Sequence, residues 1–135
     1  MTIEEILKQS HTIAVVGVSN NPERPSYIVA KYLKEHGYRI IPVNPQLKEL
    51  LGETSYPDLL SIPYPVDVVD IFRRSEEVPS IVDQAIKMGA KVVWMQEGII
   101  NEEAANKARQ AGLTVVMDKC MKKQHEKMSA PNSEL

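Results

Sequence analysis

The chain predicts a single α/β domain built on a doubly wound, Rossmann-like open parallel sheet of about five strands. Three observations lead there. Five short apolar runs alternate with helical patterns along the 135 residues. The runs are apolar at nearly every position, as in strands covered on both faces. Glycines at 37, 89 and 112 follow helical patterns, where the chain must turn back toward the next strand. Composition agrees with one core: 43% hydrophobic and 25% charged residues are ordinary for a globular domain and far from the signature of disorder.

The elements follow in order. Thr2-Ile3-Glu4-Glu5 has the spacing of a capping box and opens a short helix with Ile3, Ile6 and Leu7 as its apolar stripe. Thr12 to Val18 is the first strand. Pro25-Ser26 introduces a helix from Tyr27 to His36, in which Ile28, Val29, Tyr32 and Leu33 recur at helical spacing before Gly37. Tyr38 to Val43 is the second strand, although Pro42 has no N–H for a ladder and implies an edge-like or irregular final step. Gln46 to Pro65 carries four prolines or glycines and predicts an irregular connection in place of a crossover helix.

Val66 to Phe72 is the third strand. The next helix carries the stripe Val78, Ile81, Val82, Ala85 and Ile86, with Ser75 as its expected N-cap and Gly89 as its stop. Lys91 to Met95 is the fourth strand. Asn101 caps a helix bearing Ala104, Ala105, Ala108 and Ala111, which ends at Gly112. Leu113 to Met117 is the fifth strand, and Asp118 is the expected cap of a short last helix. Residues 1–126 form the expected domain, and 127–135 a polar, frayed tail. Right-handed crossovers in such a chain predict the strand order 3-2-1-4-5.

Charge and cysteine content narrow the function classes. A formal net charge of −2 argues against a nucleic-acid surface. No apolar run approaches the roughly 20 residues of a membrane helix. The single cysteine, Cys120, excludes an intramolecular disulfide, and no basic-then-apolar leader opens the chain, so a cytoplasmic location is expected.

In a doubly wound sheet the ligand crevice lies beyond the carboxyl ends of the strands, so the strand tips carry the functional information. After the first strand, Gly17, Val18, Ser19, Asn20, Asn21 and Arg24 lead to Pro25 and a helix N-terminus, whose amides and dipole favour phosphate oxygens. Gly17 is equally explained as a tight turn. A dinucleotide fingerprint would need glycine at 17, 19 and 22, but Ser19 and Pro22 stand at the last two positions. The second tip offers Asn44-Pro45 where NAD requires an acid for its ribose. Both points count against NAD and FAD.

The third tip sets Phe72 beside Arg73 and Arg74, a flat ring with guanidiniums suited to a nucleotide bearing an extra phosphate. Arg74 reads more simply as a solvated turn residue. The fourth tip brings Met95, Gln96, Glu97 and Gly98, where Gly98 either makes the turn or lets backbone approach a ligand. Cys120, after the fifth strand, reads either as a small buried filler or as a thiol on the same rim.

No catalytic constellation is visible. His11, His36 and His125 lie away from any recognisable nucleophile and read as solvated surface residues. Cys120 and His125 are too few for a metal site. Asp67 and Asp70, three apart in one strand, point to opposite faces and cannot pair.

The chain resembles the coenzyme A-binding domain family, stand-alone relatives of the N-terminal domain of the succinyl-coenzyme A synthetase alpha subunit. Its carriers are Val15-Val16-Gly17-Val18-Ser19 with Pro25-Ser26, Val43-Asn44-Pro45, Val66 to Arg73, Val93 to Ile99, and Val116 to Met121. The resemblance covers nearly the whole chain. It implies that Ser19, Asn20 and Asn21 hold the phosphate end of coenzyme A, that Asn44, Pro45 and Lys48 border the nucleotide, and that Phe72, Arg73 and the Met95-Gln96-Glu97 tip flank the remainder. Together with the missing catalytic constellation, it implies a protein that binds coenzyme A or an acyl derivative and is non-catalytic or not independently catalytic. A protein partner is compatible with this reading, but nothing in the sequence identifies one. Two alternatives stay open: a small NAD(P)-dependent oxidoreductase, and a structural or interaction protein with a vestigial nucleotide crevice.

Overall fold

The computed structural model describes residues 1–129. Five parallel strands form the main sheet: β1 (Thr12–Val16), β2 (Arg39–Val43), β3 (Val68–Ile71), β4 (Val92–Met95) and β5 (Thr114–Val116). Five α-helices accompany them: α1 (Ile3–Gln9), α2 (Pro25–Glu35), α3 (Val78–Met88), α4 (Glu102–Gln110) and α5 (Met121–Ser129). The class is the predicted doubly wound, Rossmann-like α/β domain.

The strand order is β2-β1-β3-β4-β5, which corrects the expected 3-2-1-4-5. Pro42 supplies the physical reason. Residues 39 and 43 bond toward β1, through Arg39 N–H to the His11 carbonyl and through Gly17 N–H to the Val43 carbonyl. Backbone alternation therefore turns the position of Pro42 to the opposite edge, where a full neighbouring strand would meet a missing donor. That edge receives only an isolated parallel bridge, in which Tyr56 N–H donates to the Pro42 carbonyl and Asn44 N–H to the Tyr56 carbonyl. β3 pairs instead on the other side of β1, the second common doubly wound arrangement. The connection between β2 and β3 is irregular, as expected. It holds a two-stranded hairpin, Glu49–Leu50 against Glu53–Thr54, and one 3-10 turn, Leu59–Ser61.

Both faces of the sheet are covered. Ile13, Val15, Ile40, Val68 and Trp94 meet Leu7 of α1, Leu33 of α2 and Met121 of α5 on one side. Ala14, Val16, Ile41, Val69 and Val93 meet Val82 of α3 and Ala105 of α4 on the other. This two-sided burial is why the strands are apolar at almost every position. Each fully buried side chain of the size of Ile13 or Leu33 contributes about 1.5–3 kcal/mol.

The caps at Thr2 and Asn101 stand as predicted: Thr2 and Glu5 form the capping box, and Asn101 accepts from Ala104 N–H at 2.9 Å. Two other caps are corrected. Ser75 opens a 3-10 turn, and α3 begins only at Val78 with Pro79 in its first turn, where a missing N–H is harmless. Ser75 Oγ instead accepts from Ile100 N–H at 3.1 Å, tying the β4–α4 loop to the β3 tip. Asp118 takes a left-handed conformation (φ +61°) and accepts from Gly98 N–H at 2.7 Å. Met121 N–H, at the start of α5, donates to Gln96 Oε1 at 3.1 Å. α5 continues through Ser129, three residues into the segment expected to fray, and the rest of that segment lies outside the described residues.

Candidate functional site

At the tip of β1 the chain turns through Gly17 at φ +86°, a conformation that L side chains rarely adopt. A Cβ there would lie 2.5 Å from Arg73 Cδ and 2.6 Å from the Phe72 carbonyl oxygen. The first and third tips therefore touch because residue 17 is glycine. Val18 sends its side chain into the core, and its carbonyl accepts from Asn44 Nδ2 at 2.9 Å, so its side chain does not reach the crevice.

The following loop is shaped by its own polar groups. Ser19 N–H donates to Ser26 Oγ at 2.9 Å, Asn21 N–H to Ser19 Oγ at 3.0 Å, and Glu23 N–H to Asn21 Oδ1 at 3.0 Å. Asn20, Arg24 and Pro25 are exposed. Arg24 holds the N-cap position of α2 without any side-chain capping bond, Pro25 follows, and the first turn has no acidic residue. The helix ladder begins with Ile28 N–H to the Arg24 carbonyl at 3.1 Å. The N–H groups of Ser26 and Tyr27, at the positive end of the dipole, bond to no other described residue. These donors and the adjacent Arg24 fit a phosphate.

The other tips surround this helix end. Asn44 spends its side chain on structure, donating to Val18 and accepting from Gln46 N–H at 2.8 Å, while Pro45 and Lys48 are exposed. Phe72 is half-buried. Arg73 Nη2 bonds Glu77 Oε1 at 2.8 Å, and this contact, ahead of smaller ones from Arg74, holds the Glu77 carboxyl below the usual carboxylate range. Arg74 is the solvated residue expected, 78% exposed. Met95, like Val18, is wholly in the core. Gln96 is buried, Glu97 pairs with Lys123 at 2.9 Å, and Gly98 makes its turn at φ +82°. Cys120 is buried but 8% exposed, so the small-filler reading and the rim reading both describe part of its position.

Three recesses occupy this end of the sheet. One of about 420 Å³ lies beside the β2 tip, among Val43, Pro45, Asp58, Arg73 and Glu76. One of about 400 Å³ covers the N-terminus of α2, among Gly17, Ser19, Arg24, Ser26 and Phe72. One of about 640 Å³ lies among Val29, Phe72, Gln96, Ile99 and Cys120. Shared walls join them: Gly17 borders the first and second, Pro25 and Phe72 the second and third. Of the predicted residues, Gly17, Ser19, Arg24, Pro25, Pro45, Phe72, Arg73, Gln96, Glu97, Gly98 and Cys120 border these recesses, whereas Val18, Asn20, Asn21, Asn44, Lys48 and Met95 line none of them. Sequence reasoning missed Ser26, Val29 and Ile99 as crevice residues. Ser26 was visible as a hydroxyl in the first turn after Pro25, whereas Val29 and Ile99 look in sequence like ordinary core residues.

Away from the crevice, His125 corrects the surface reading. It is buried, its Nδ1 lies 2.8 Å from Tyr32 Oη, and its ring stands edge-on to His36 at 5.2 Å. Burial, with His36 nearby, pushes its pKa below the ordinary value. Asp67 accepts from the N–H groups of His11 and Thr12, at 2.8 and 3.0 Å. Asp70 is fully buried on β3 with no hydrogen-bond partner among the described residues, and burial pushes its pKa well up. No cluster of three or more metal-ligating side chains occurs among the described residues, and no described helix is long and apolar enough to cross a membrane.

Comparison with known proteins bears on this geometry. The chain is 45% identical to the uncharacterized protein YneT of Bacillus subtilis over 123 residues, 91% of either chain. It is 30% identical over 94 residues to acetate–CoA ligase [ADP-forming] II of Archaeoglobus fulgidus, covering 68% of this chain but 14% of that protein. Among solved structures, a hypothetical protein from Pyrococcus horikoshii OT3 superposes with a TM-score of 0.89 at 48% identity, over 93% of this chain and 91% of that one. A redesigned binding protein, Prb, superposes with a TM-score of 0.91 at 44% identity, over 100% and 95%. The family model described as "CoA binding domain" matches residues 11–126, a span that takes in every strand tip of the crevice, and the chain belongs to that coenzyme A-binding domain family.

Proposed function

We propose that the protein binds coenzyme A or an acyl-coenzyme A in the crevice at the strand tips and acts as a binding module. The observation that carries this reading is the N-terminus of α2. It has no side-chain cap, no acid in its first turn, and Ser26 and Tyr27 amides bonded to no other described residue. A helix end of that kind, beside Arg24 and Arg73, is complementary to a diphosphate. Ser26, Tyr27 and Arg24 would hold the diphosphate, Pro45 and Lys48 would border the nucleotide, and Phe72 would pack on the arm beyond it. When bound, coenzyme A supplies a thiol or thioester. The crevice brings no histidine beside a nucleophile: its one thiol is Cys120, and His125 is engaged with Tyr32 instead.

The dinucleotide alternative has less support, because Asn44 stands where a ribose-binding acid is needed and its side chain is committed to Val18 and Gln46. Native mass spectrometry of the protein mixed with equal coenzyme A and NAD tests the choice. The expected spectrum is dominated by a one-to-one coenzyme A complex, and a dominant NAD complex would contradict the proposal.

A further inference from the structure

Resting on that reading, we propose that the recess of about 640 Å³ makes the protein selective for coenzyme A thioesters of uncharged, apolar acyl groups, over free coenzyme A and over thioesters ending in a carboxylate. The connectivity of the crevice sets the direction of the ligand. In doubly wound folds the adenosine side of a nucleotide lies toward the tip of the second strand, here the recess at Val43 and Pro45. With the diphosphate at the α2 N-terminus, the arm leaves across Pro25 and Phe72, the walls shared with the third recess. Its thioester end therefore enters the largest of the three spaces.

The walls there decide what the acyl group must be. Pro25, Val29, Phe72, Ile99 and Cys120 are apolar. Several polar atoms around them are already engaged. Gln96 Oε1 accepts from Met121 N–H, Gly98 N–H donates to Asp118, and Ser75 Oγ accepts from Ile100 N–H. Arg73 and Arg74 both face Glu77, Arg74 also lies 3.5 Å from Glu76, and Glu97 is held by Lys123, so each of these rim charges already has a partner of opposite sign. A terminal carboxylate would have to displace one of these acids from its cation, and would otherwise lose hydration without gaining a partner. An aliphatic chain would leave water for an apolar wall.

The test is calorimetric titration of the full chain with coenzyme A, butyryl-coenzyme A and succinyl-coenzyme A. Butyryl-coenzyme A is expected to bind about tenfold more tightly than coenzyme A, equivalent to about 1.4 kcal/mol. Succinyl-coenzyme A is expected to bind no more tightly than coenzyme A. Ile99→Trp, which fills the recess from a half-buried position, is expected to reduce the butyryl-to-free affinity ratio to about threefold or less; Ile99→Ser, which removes apolar wall, should move it in the same direction. Coenzyme A binding with no butyryl preference, a preference for succinyl, or a ratio unmoved in both variants overturns this inference alone. If none of the three ligands binds, the functional reading fails and this inference with it.

Discussion

Gly17 joins two strand tips, and its absent side chain is what allows Phe72 and Arg73 to lie against the loop that follows β1. Gly17→Ala would place a methyl group within 2.6 Å of the Phe72 carbonyl at a φ of +86°. Such a position costs more than the ordinary glycine effect, so a loss of stability above about 1 kcal/mol is expected from urea denaturation, with weaker coenzyme A binding. Unchanged stability would contradict the close packing described. Arg73, half-exposed, would turn from Glu77 to a doubly charged phosphate, against which a single carboxylate is the weaker competitor. Arg73→Gln is expected to weaken coenzyme A binding by about 1.5–3 kcal/mol, the range for a charge-assisted bond. Titration with dephospho-coenzyme A shows whether the 3′-phosphate is the partner. If neither ligand is affected, Arg73 does not face the nucleotide.

Asp70 is a different kind of residue, a carboxyl buried on β3 without a hydrogen-bond partner among the described residues. Its folded pKa is raised by burial, so the folded state holds its proton at pH values where the unfolded chain has released it. Stability is therefore lost as pH rises above the ordinary carboxylate value of about 4, until the folded pKa is reached. Asp70→Asn removes that dependence. The variant is expected to be more stable than wild type at pH 7 and nearly equal below about pH 4, by thermal unfolding at both. Equal stability at both pH values would show that Asp70 is solvated in the folded protein.

Among the elements, α5 links two ends of the molecule. Its first N–H is held by Gln96 at the β4 tip, and His125 in its middle is buried against Tyr32 and His36. The His125 pKa is lowered, so the unfolded chain takes up a proton first as pH falls, and stability declines below about pH 6.5. His125→Gln is expected to flatten the decline between pH 6.5 and pH 5, measured by urea denaturation across that range. An unchanged pH profile would assign the acid sensitivity elsewhere.

The same element shows where sequence reasoning succeeds and stops. The caps at Thr2 and Asn101 were legible because each bonds an amide three residues away. Asp118 and Ser75 have the same residue types in the same kind of place, yet they bind Gly98 and Ile100, more than 19 positions distant. Nothing local distinguishes the two pairs. His125 looked solvated because α5 is polar in sequence; it is buried beside Tyr32 of α2 and His36, the C-cap of that helix.

At the scale of the whole molecule, the covered strands and their flanking helices were legible in the apolar runs, and the strand order was not drawn correctly from them. The signal was present in Pro42, which marks β2 as an edge strand and is incompatible with a place inside the order 3-2-1-4-5. The crevice survives that correction because β1 is an interior strand in both orders, and its tip and the α2 N-terminus remain the meeting point. What the alternation of apolar residues cannot supply is the depth of each side chain at a tip: Val18 and Met95 turn inward, whereas Val29 and Ile99, which resemble core residues, line the largest recess.

The central claim is that this meeting point is a coenzyme A site, and calorimetric titration of the full chain with coenzyme A and NAD under identical salt tests it most directly. A coenzyme A site predicts one-to-one binding of coenzyme A, tighter than NAD. It also predicts stabilisation against unfolding that grows to about 2.7 kcal/mol at a hundredfold excess of coenzyme A over its dissociation constant. NAD binding as tight as coenzyme A, or no heat and no stabilisation from coenzyme A, would contradict it.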